Sequence, residues 1–309
     1  MSTKLLDSPS WFNAAEMHAK QHPLTAIALL IAVLGVVALI AQSAYEIISG
    51  QQSMALSYAL AAGLIGFAAT ALGAIPILFI KSLPTKLEDS MLGFAAGMML
   101  AASAFSLIIP GIEAGNAIFD NKFLGAGLVV IGIGLGVFLM LGLDQFTPHE
   151  HHQTGPCGAG YERCGKVMLF VMAIALHNLP EGMAMGVSMS AGDLSVGIPL
   201  SMAIAIQDIP EGLAVAMSLR SAGIKPKLAL LIAIASGLLE PIGALLGVSI
   251  ASGMAWAYPV GLGLSAGAML FVVSHEVIPE THRNGHQTTA TIGLMIGFSL
   301  MMILDTTLG

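Results

Sequence analysis

Nine stretches dominated by apolar side chains, each about 20 residues or longer, follow one another along this chain. They are 24–48, 56–80, 90–111, 123–143, 166–190, 195–219, 228–250, 257–280 and 287–308. Such a stretch is long enough to cross the hydrocarbon of a bilayer as a helix. In that solvent every backbone N–H and C=O must be satisfied within the protein, which leaves helices as the spanning element. The expected fold is therefore an all-α polytopic membrane protein with one membrane domain over residues 1–309. Charged residues make up 9% of the chain and apolar ones 56%, whereas a soluble domain carries about 25% charged residues. The 36 glycines suit membrane helices that must approach closely.

Charge asymmetry sets the expected orientation. With the N-terminus in the cytoplasm, the segments on that side hold ten of the eleven Lys and Arg residues, and Lys122 alone lies outside. That is the positive-inside pattern, and it puts the C-terminus outside. Residues 1–23 form a polar cytoplasmic segment. The stretch after it, 24–48, lacks the exit of a cleaved signal peptide and reads as an appended span ahead of an eight-helix core. The one long polar loop, 144–165, is cytoplasmic and contains "HEHH", where His149, His151 and His152 form a weak metal-collecting tract. Cys157 and Cys164, spaced C-x6-C, match neither a redox pair nor a strong zinc pair and read as reduced thiols. No basic run points to nucleic acid. The outer face carries acids, Glu46, Glu113, Asp120, Asp193 and Asp305, with almost no cations, and so attracts cations. Asp305 and Glu113 are the candidates for metal admission.

Two of the apolar stretches contain nearly the same polar insertion. "ALHNLPEGMAMG" starts at Ala175, and "AIQDIPEGLAVA" repeats the pattern in the next span. Both lie near the centre of their spans. An ionisable residue there costs at least about 2.5–3.5 kcal/mol on insertion scales. Helical spacing puts His177 (i,i+4) and Asn178 (i,i+3) beside Glu181, and Gln207 and Asp208 in the same relation to Glu211. Consecutive spans run antiparallel, so matching motifs imply inverted repeats with a site between them. Pro180 and Pro210 are expected to kink these helices and free the carbonyls of Leu176 and Ile206. Glu240, before Pro241, adds a carboxylate from the following span.

Glu181, Asp208, Glu211 and Glu240 cannot all stay charged and unpaired at one depth. No Lys or Arg lies in a span core, so protons or bound cations must balance them. Two divalent ions would do so. His177, Glu181, Gln207 and Glu211 make a softer ligand set suited to zinc and neighbouring first-row metals; Asn178, Glu181, Asp208, Glu211 and Glu240 make an all-oxygen one. Carboxylates and imidazole ligate only when deprotonated, so acidification should release bound metal.

"HNLPEG" followed by "QDIPEG", with "EP" in the next span and "HEVIPE" (His275 to Glu280) in the one after, resembles the ZIP family of zinc and iron transporters, in its GufA-like bacterial branch. The resemblance covers spans two to nine. It implies an eight-helix core with inverted repeats and a binuclear metal centre between the fourth and fifth core helices. It also implies that zinc, and also cadmium or iron, moves toward the cytoplasm across a bacterial inner membrane. The family motifs carry over to His177, Asn178, Glu181, Gln207, Asp208 and Glu211. Many eukaryotic members have His where this chain has Gln207. The resemblance favours Met99, in span three, as an added thioether ligand. His275 and Glu276, near the inner end of span eight, read as a relay for released metal, with Glu280 on the face of Glu276.

The expected activity is transport by alternating access, with no catalytic cofactor. A channel-like path is its mechanistic alternative. An intramembrane metalloenzyme would need an open zinc position and a general base, and the chain has no HExxH. A proton-coupled carrier of an organic solute would need donors such as Arg within the spans, and a metal sensor would bind without flux. Glycine-rich span four can serve packing within one subunit or between the subunits of a homodimer.

Overall fold

The computed structural model describes residue 20 and residues 23–50, 53–146, 149–151, 155–157, 166–192, 194–252 and 254–308. The helices in chain order begin with α1 (Pro23–Ile48) and α2 (Met54–Ala74, extended by a 3-10 turn at Ile75–Leu78). Next come α3 (Thr85–Ala101), a π-turn (Ala102–Ile108), α4 (Ile109–Phe119) and α5 (Lys122–Phe146). A short hairpin, β1 (His149–His151) and β2 (Gly155–Cys157), precedes α6 (Lys166–Ser190) and α7 (Leu194–Ser221). The chain continues with α8 (Pro226–Ser236), α9 (Leu239–Ala251), α10 (Ala257–Val272), a second π-turn (Val273–Val277), α11 (Ile278–Thr281) and α12 (Gln287–Leu308).

Seven helical segments among the described residues are long and apolar enough to cross a membrane: Met54–Leu78, Thr85–Phe119, Lys122–Asp144, Leu194–Ser221, Pro226–Ala251, Ala257–Thr281 and Gln287–Leu308. Each overlaps an expected span. The other two expected stretches, 24–48 and 166–190, are helical as α1 and α6. The fold is thus that of a polytopic helical membrane protein, with the β1–β2 hairpin as a small addition inside the expected loop 144–165. Residues 1–19 lie outside the described part, as do His152, Cys164 and Asp193.

Proline shapes several of the helices. α6 and α7 run on through Pro180 and Pro210. The break comes in the next span, at Gly237–Leu238 between α8 and α9. Pro241 cannot donate to the carbonyl of Gly237, four residues back, and its ring crowds that turn. Pro110 and Pro279 each stand at the start of the helix after a π-turn, where a missing N–H is tolerated. The expected span 90–111 sits within a 35-residue rod, Thr85–Phe119. At 1.5 Å per residue that is about 50 Å, so the rod must tilt or protrude.

The closest helix pairs sort into two bundles. In the first, α2 packs on α6, α7 and α9, and α6 on α7 and α9; in the second, α3 packs on α12, and α5 on α4 and α10; α6 against α10 and α3 against α7 join the two. Within each bundle glycines put backbone against backbone. A Cβ on Gly97 would strike the carbonyl of Leu294 in α12, and one on Gly182 would strike the carbonyl of Glu240 in α9. Helix α1 docks on the first bundle, where the hydroxyls of Ser43 and Ser249 lie 2.8 Å apart. The main apolar core joins both bundles and includes Met98, Met99, Met185, Leu200, Ile204, Leu262 and Met269.

Candidate metal centre

The repeated motif faces inward from two adjacent helices. α6 carries His177, Asn178 and Glu181, and α7 carries Gln207, Asp208 and Glu211. Asn178, Glu181, Gln207 and Asp208 are buried, at 3%, 1%, 0% and 2% exposure, among helices whose other side chains are mostly apolar. One carboxylate oxygen from each of Glu181, Asp208 and Glu211 lies within 4.8 Å of the other two, a spacing that could hold a metal ion. Glu240, fully buried in the first turn of α9, belongs to the same group and lies close enough to Asp208 for the two carboxylates to share a proton. The helix break at Gly237–Leu238 lets the chain turn that first helical turn into the site.

Neutral donors fix two of the carboxylates. Gln207 Nε2 donates to Glu181 Oε1 at 2.6 Å. Thr70 Oγ1, from α2, donates to Glu240 Oε1 at 2.6 Å. What remains is a set of buried acceptors without a protein donor: Gln207 Oε1, Asp208 Oδ2, Glu240 Oε2 and Glu276 Oε1. A buried acceptor left unpaired costs about 1–3 kcal/mol or more. These four acceptors belong to expected metal-binding residues, while Asn116 Oδ1, Ser201 Oγ and Ser265 Oγ are unpaired elsewhere among the described residues; a cation is a partner that satisfies several of the four at once. Gly66, one turn before Thr70, leaves the space. A Cβ there would overlap Glu240 Oε2 and stand 3.2 Å from Asp208 Oδ2.

No described Lys or Arg reaches the carboxylates. Arg220, the nearest along α7, sits in its last turn and donates to the carbonyls of Ile77 and Ile80 at 2.7 and 3.1 Å. The charge must be balanced by protons or by a bound cation. His177 interacts electrostatically with Glu211, and its Nε2 lies 3.6 Å from Glu276 Oε2. The second π-turn brings Glu276 there. It also replaces the regular helical spacing that would put Glu280 on the same face, and Glu280 pairs instead with Arg283 at 2.8 Å.

The other expected residues are more scattered. Met99 is buried in the apolar core, at 1% exposure. His275 is exposed and stacks on Phe271 with ring centroids 4.9 Å apart. Asp305 accepts a hydrogen bond from Ser106, in the first π-turn, at 2.6 Å. Glu113 is exposed on α4. His149 and His151 lie on β1, with His149 paired in register with Cys157. His286 meets buried Asp89 at 2.8 Å, and Asn284 donates to the same carboxylate at 2.9 Å. Sequence reasoning missed Thr70, Gly66 and Ser106. The signal for the first two was the 3-4-3 spacing of Gly63, Gly66, Thr70 and Gly73, a small-residue face of α2 interrupted by one hydroxyl.

The chain is 58% identical over 291 residues to the zinc transporter ZIPB of Bordetella bronchiseptica, a match that covers 94% of each protein. It belongs to the ZIP family. The family model described as ZIP Zinc transporter matches residues 161–305, which hold both copies of the motif, Glu240 and the second π-turn. The ZIP chain is also 40% identical over 250 residues to the zinc transporter GufA of Myxococcus xanthus, covering 81% of this chain and 98% of that one. Zinc transporter ZIP11 of Xenopus tropicalis is 30% identical over 326 aligned positions, covering 80% and 96%. ZIP proteins are transporters rather than enzymes, and the GufA-like branch is the one this chain resembles.

Proposed function

We propose that this ZIP protein carries divalent transition-metal ions, zinc first and cadmium or iron as further cargo, across a bacterial inner membrane toward the cytoplasm. The observation that carries the reading is the buried triad of Glu181, Asp208 and Glu211 with oxygens inside 4.8 Å, halfway along two antiparallel helices and joined by the unpaired oxygen of Glu240. The cargo takes the place of the missing counter-charge. His177, Gln207, Glu181 and Glu211, with Met99, form one half of a binuclear site. Asn178, Asp208 and Glu240 complete the other, sharing Glu181 and Glu211.

Access alternates. The first bundle carries all the carboxylates, and the second forms the opposing wall, so displacement of one against the other exposes the site to one side at a time. Asp305 and Glu113 draw cations at the outer end. Glu276, beside His177, starts the inner path, followed by His275 and then by His149 and His151 in the loop. The orientation rests on the Lys and Arg asymmetry and gives nine spans with the N-terminus inside. A homodimer is compatible with this arrangement.

The test is zinc and cadmium uptake into proteoliposomes that hold a trapped metal-sensitive dye. Wild type should give saturable uptake, and a Glu181→Ala, Glu211→Ala double variant should give none. Folded wild type that binds zinc at the motif without flux would sink the transporter reading in favour of a sensor.

A further inference from the structure

We infer that Thr70 is a positioning residue that holds Glu240 as a one-oxygen ligand and so biases the centre toward small divalent ions such as zinc over larger ones such as cadmium. The inference rests on the reading of Glu240 as a metal ligand.

A threonine inside a membrane helix usually returns its hydroxyl to a carbonyl of its own helix. Thr70 does not. Its hydroxyl crosses to a residue 170 positions away and donates to Glu240 Oε1 at 2.6 Å. Thr70 is 4% exposed and Glu240 0%, so bulk water does not compete. A hydrogen bond to a buried carboxylate is of the short, strong, charge-assisted kind. The donor is also held firmly. Gly212 of α7 lies against the carbonyl of Thr70, and Gly73 of α2 against the carbonyl of Ile209. The hydroxyl therefore has little freedom to follow Glu240 if that side chain swings.

Gly66 sets the other oxygen. It lies one turn before Thr70, on the same face of α2. Its missing side chain leaves the space in which Glu240 Oε2 sits, with Asp208 Oδ2 beside it. Both of these oxygens are buried and receive no protein donor, and the two carboxylates lie close enough to share a proton or an ion. The face of α2 thus divides the two oxygens of Glu240 between two tasks. Oε1 is held by the hydroxyl, and Oε2 is presented with Asp208 to the ion.

A carboxylate fixed in this way binds an ion through one oxygen. Zinc is satisfied by few ligands, with carboxylate oxygens at about 2.0–2.2 Å. Larger cations take more oxygens and favour two-oxygen carboxylate contacts. Removing the hydroxyl would let Glu240 rotate and offer both.

The experiment measures zinc and cadmium uptake by the full chain in proteoliposomes for wild type, Thr70→Val, Thr70→Ala and Thr70→Ser. In the two hydroxyl-free variants KM for zinc should rise about 10-fold or more, the usual cost of losing a group that orients a ligand. Vmax should hold, and KM for cadmium should stay level or fall, so that the preference for zinc drops. Thr70→Ser should restore the preference. Val and Ala variants that fold, transport and keep the wild-type ratio overturn the inference. Equal losses for both metals, unrelieved by Ser, overturn it too, because they mark a packing role. Absence of saturable uptake by wild type would instead strike the transport reading itself.

Discussion

Where Gly97 of α3 meets α12, and where Gly182 of α6 meets α9, backbone rests on backbone. Where α10 meets α6 and α9, across the boundary between the bundles, Gly261 faces side-chain methyl groups, those of Val187 with the nearer at 3.2 Å and that of Ala251 at 3.5 Å. The polar contacts divide the same way. Inside a bundle they are short: Thr70 to Glu240, Gln207 to Glu181 and Ser106 to Asp305 are all 2.6 Å. Two contacts that cross the boundary are longer: Ser218 to Glu88 is 3.3 Å, and His177 to Glu276 is 3.6 Å, at or beyond the range of a good hydrogen bond. Two helices in backbone contact have their ridges sunk into each other's grooves and cannot slip without collision. A seam of methyl groups and loose polar pairs can slip. If access alternates as proposed, the looser seam is the surface expected to move.

The comparison can be broken most directly by bridging the seams. With Cys157 and Cys164 replaced by Ser, Glu88→Cys and Ser218→Cys joined by a short bifunctional thiol reagent should stop uptake entirely, with recovery on cleavage of the bridge. A disulfide between Ser43→Cys and Ser249→Cys, which ties α1 to its own bundle, should leave uptake intact. Equal behaviour of the two bridged proteins would dissolve the distinction. Next in size is overpacking. Gly97→Leu, at a locked seam, should destabilise the fold by about 1–3 kcal/mol or more, seen as a lower midpoint of thermal unfolding in detergent. Gly261→Ala should change that midpoint little. The smallest effect is expected from Glu276→Gln. It removes the charge facing His177 but keeps the shape, and should slow uptake several-fold while zinc affinity at the carboxylate triad, measured by equilibrium titration, stays the same.

The sequence makes the candidate ligands far easier to read than the supports that hold them. A glutamate in the middle of an apolar helix is costly, so Glu181, Asp208, Glu211 and Glu240 announce themselves, and the repeated Pro-Glu-Gly ties two of them together. Thr70 costs little in a membrane helix and carries no such signal. Gly66 is one of 36 glycines, and only the position of Glu240 in space distinguishes it. Glu276 was legible as a charged residue near a helix end. Its approach to His177 was not, because regular 3.6-residue spacing is the assumption behind every reading of shared faces and a π-turn violates it. Pro180 and Pro210 suggest kinks, and both helices continue past them. Pro-containing helices in a tight bundle can stay continuous because neighbours re-satisfy the backbone. Glu240 needs the chain to turn, and there the break falls beside Pro241.

The π-turn at Ala102–Ile108 has a mechanical meaning. A turn that takes in one extra residue rotates everything beyond it by about 100°, one residue's share of a 3.6-residue turn. Before the turn, Gly93 and Gly97 present their bare backbone to Ala290 and Leu294 of α12; after it, Gly111 and Gly115 present theirs to Val129, Leu262 and Gly125 of α5 and α10. One rod is thus keyed to two sets of neighbours, like a shaft whose slots are cut at different angles. Deleting a single residue from this turn would leave every glycine in place along the sequence and point half of them the wrong way.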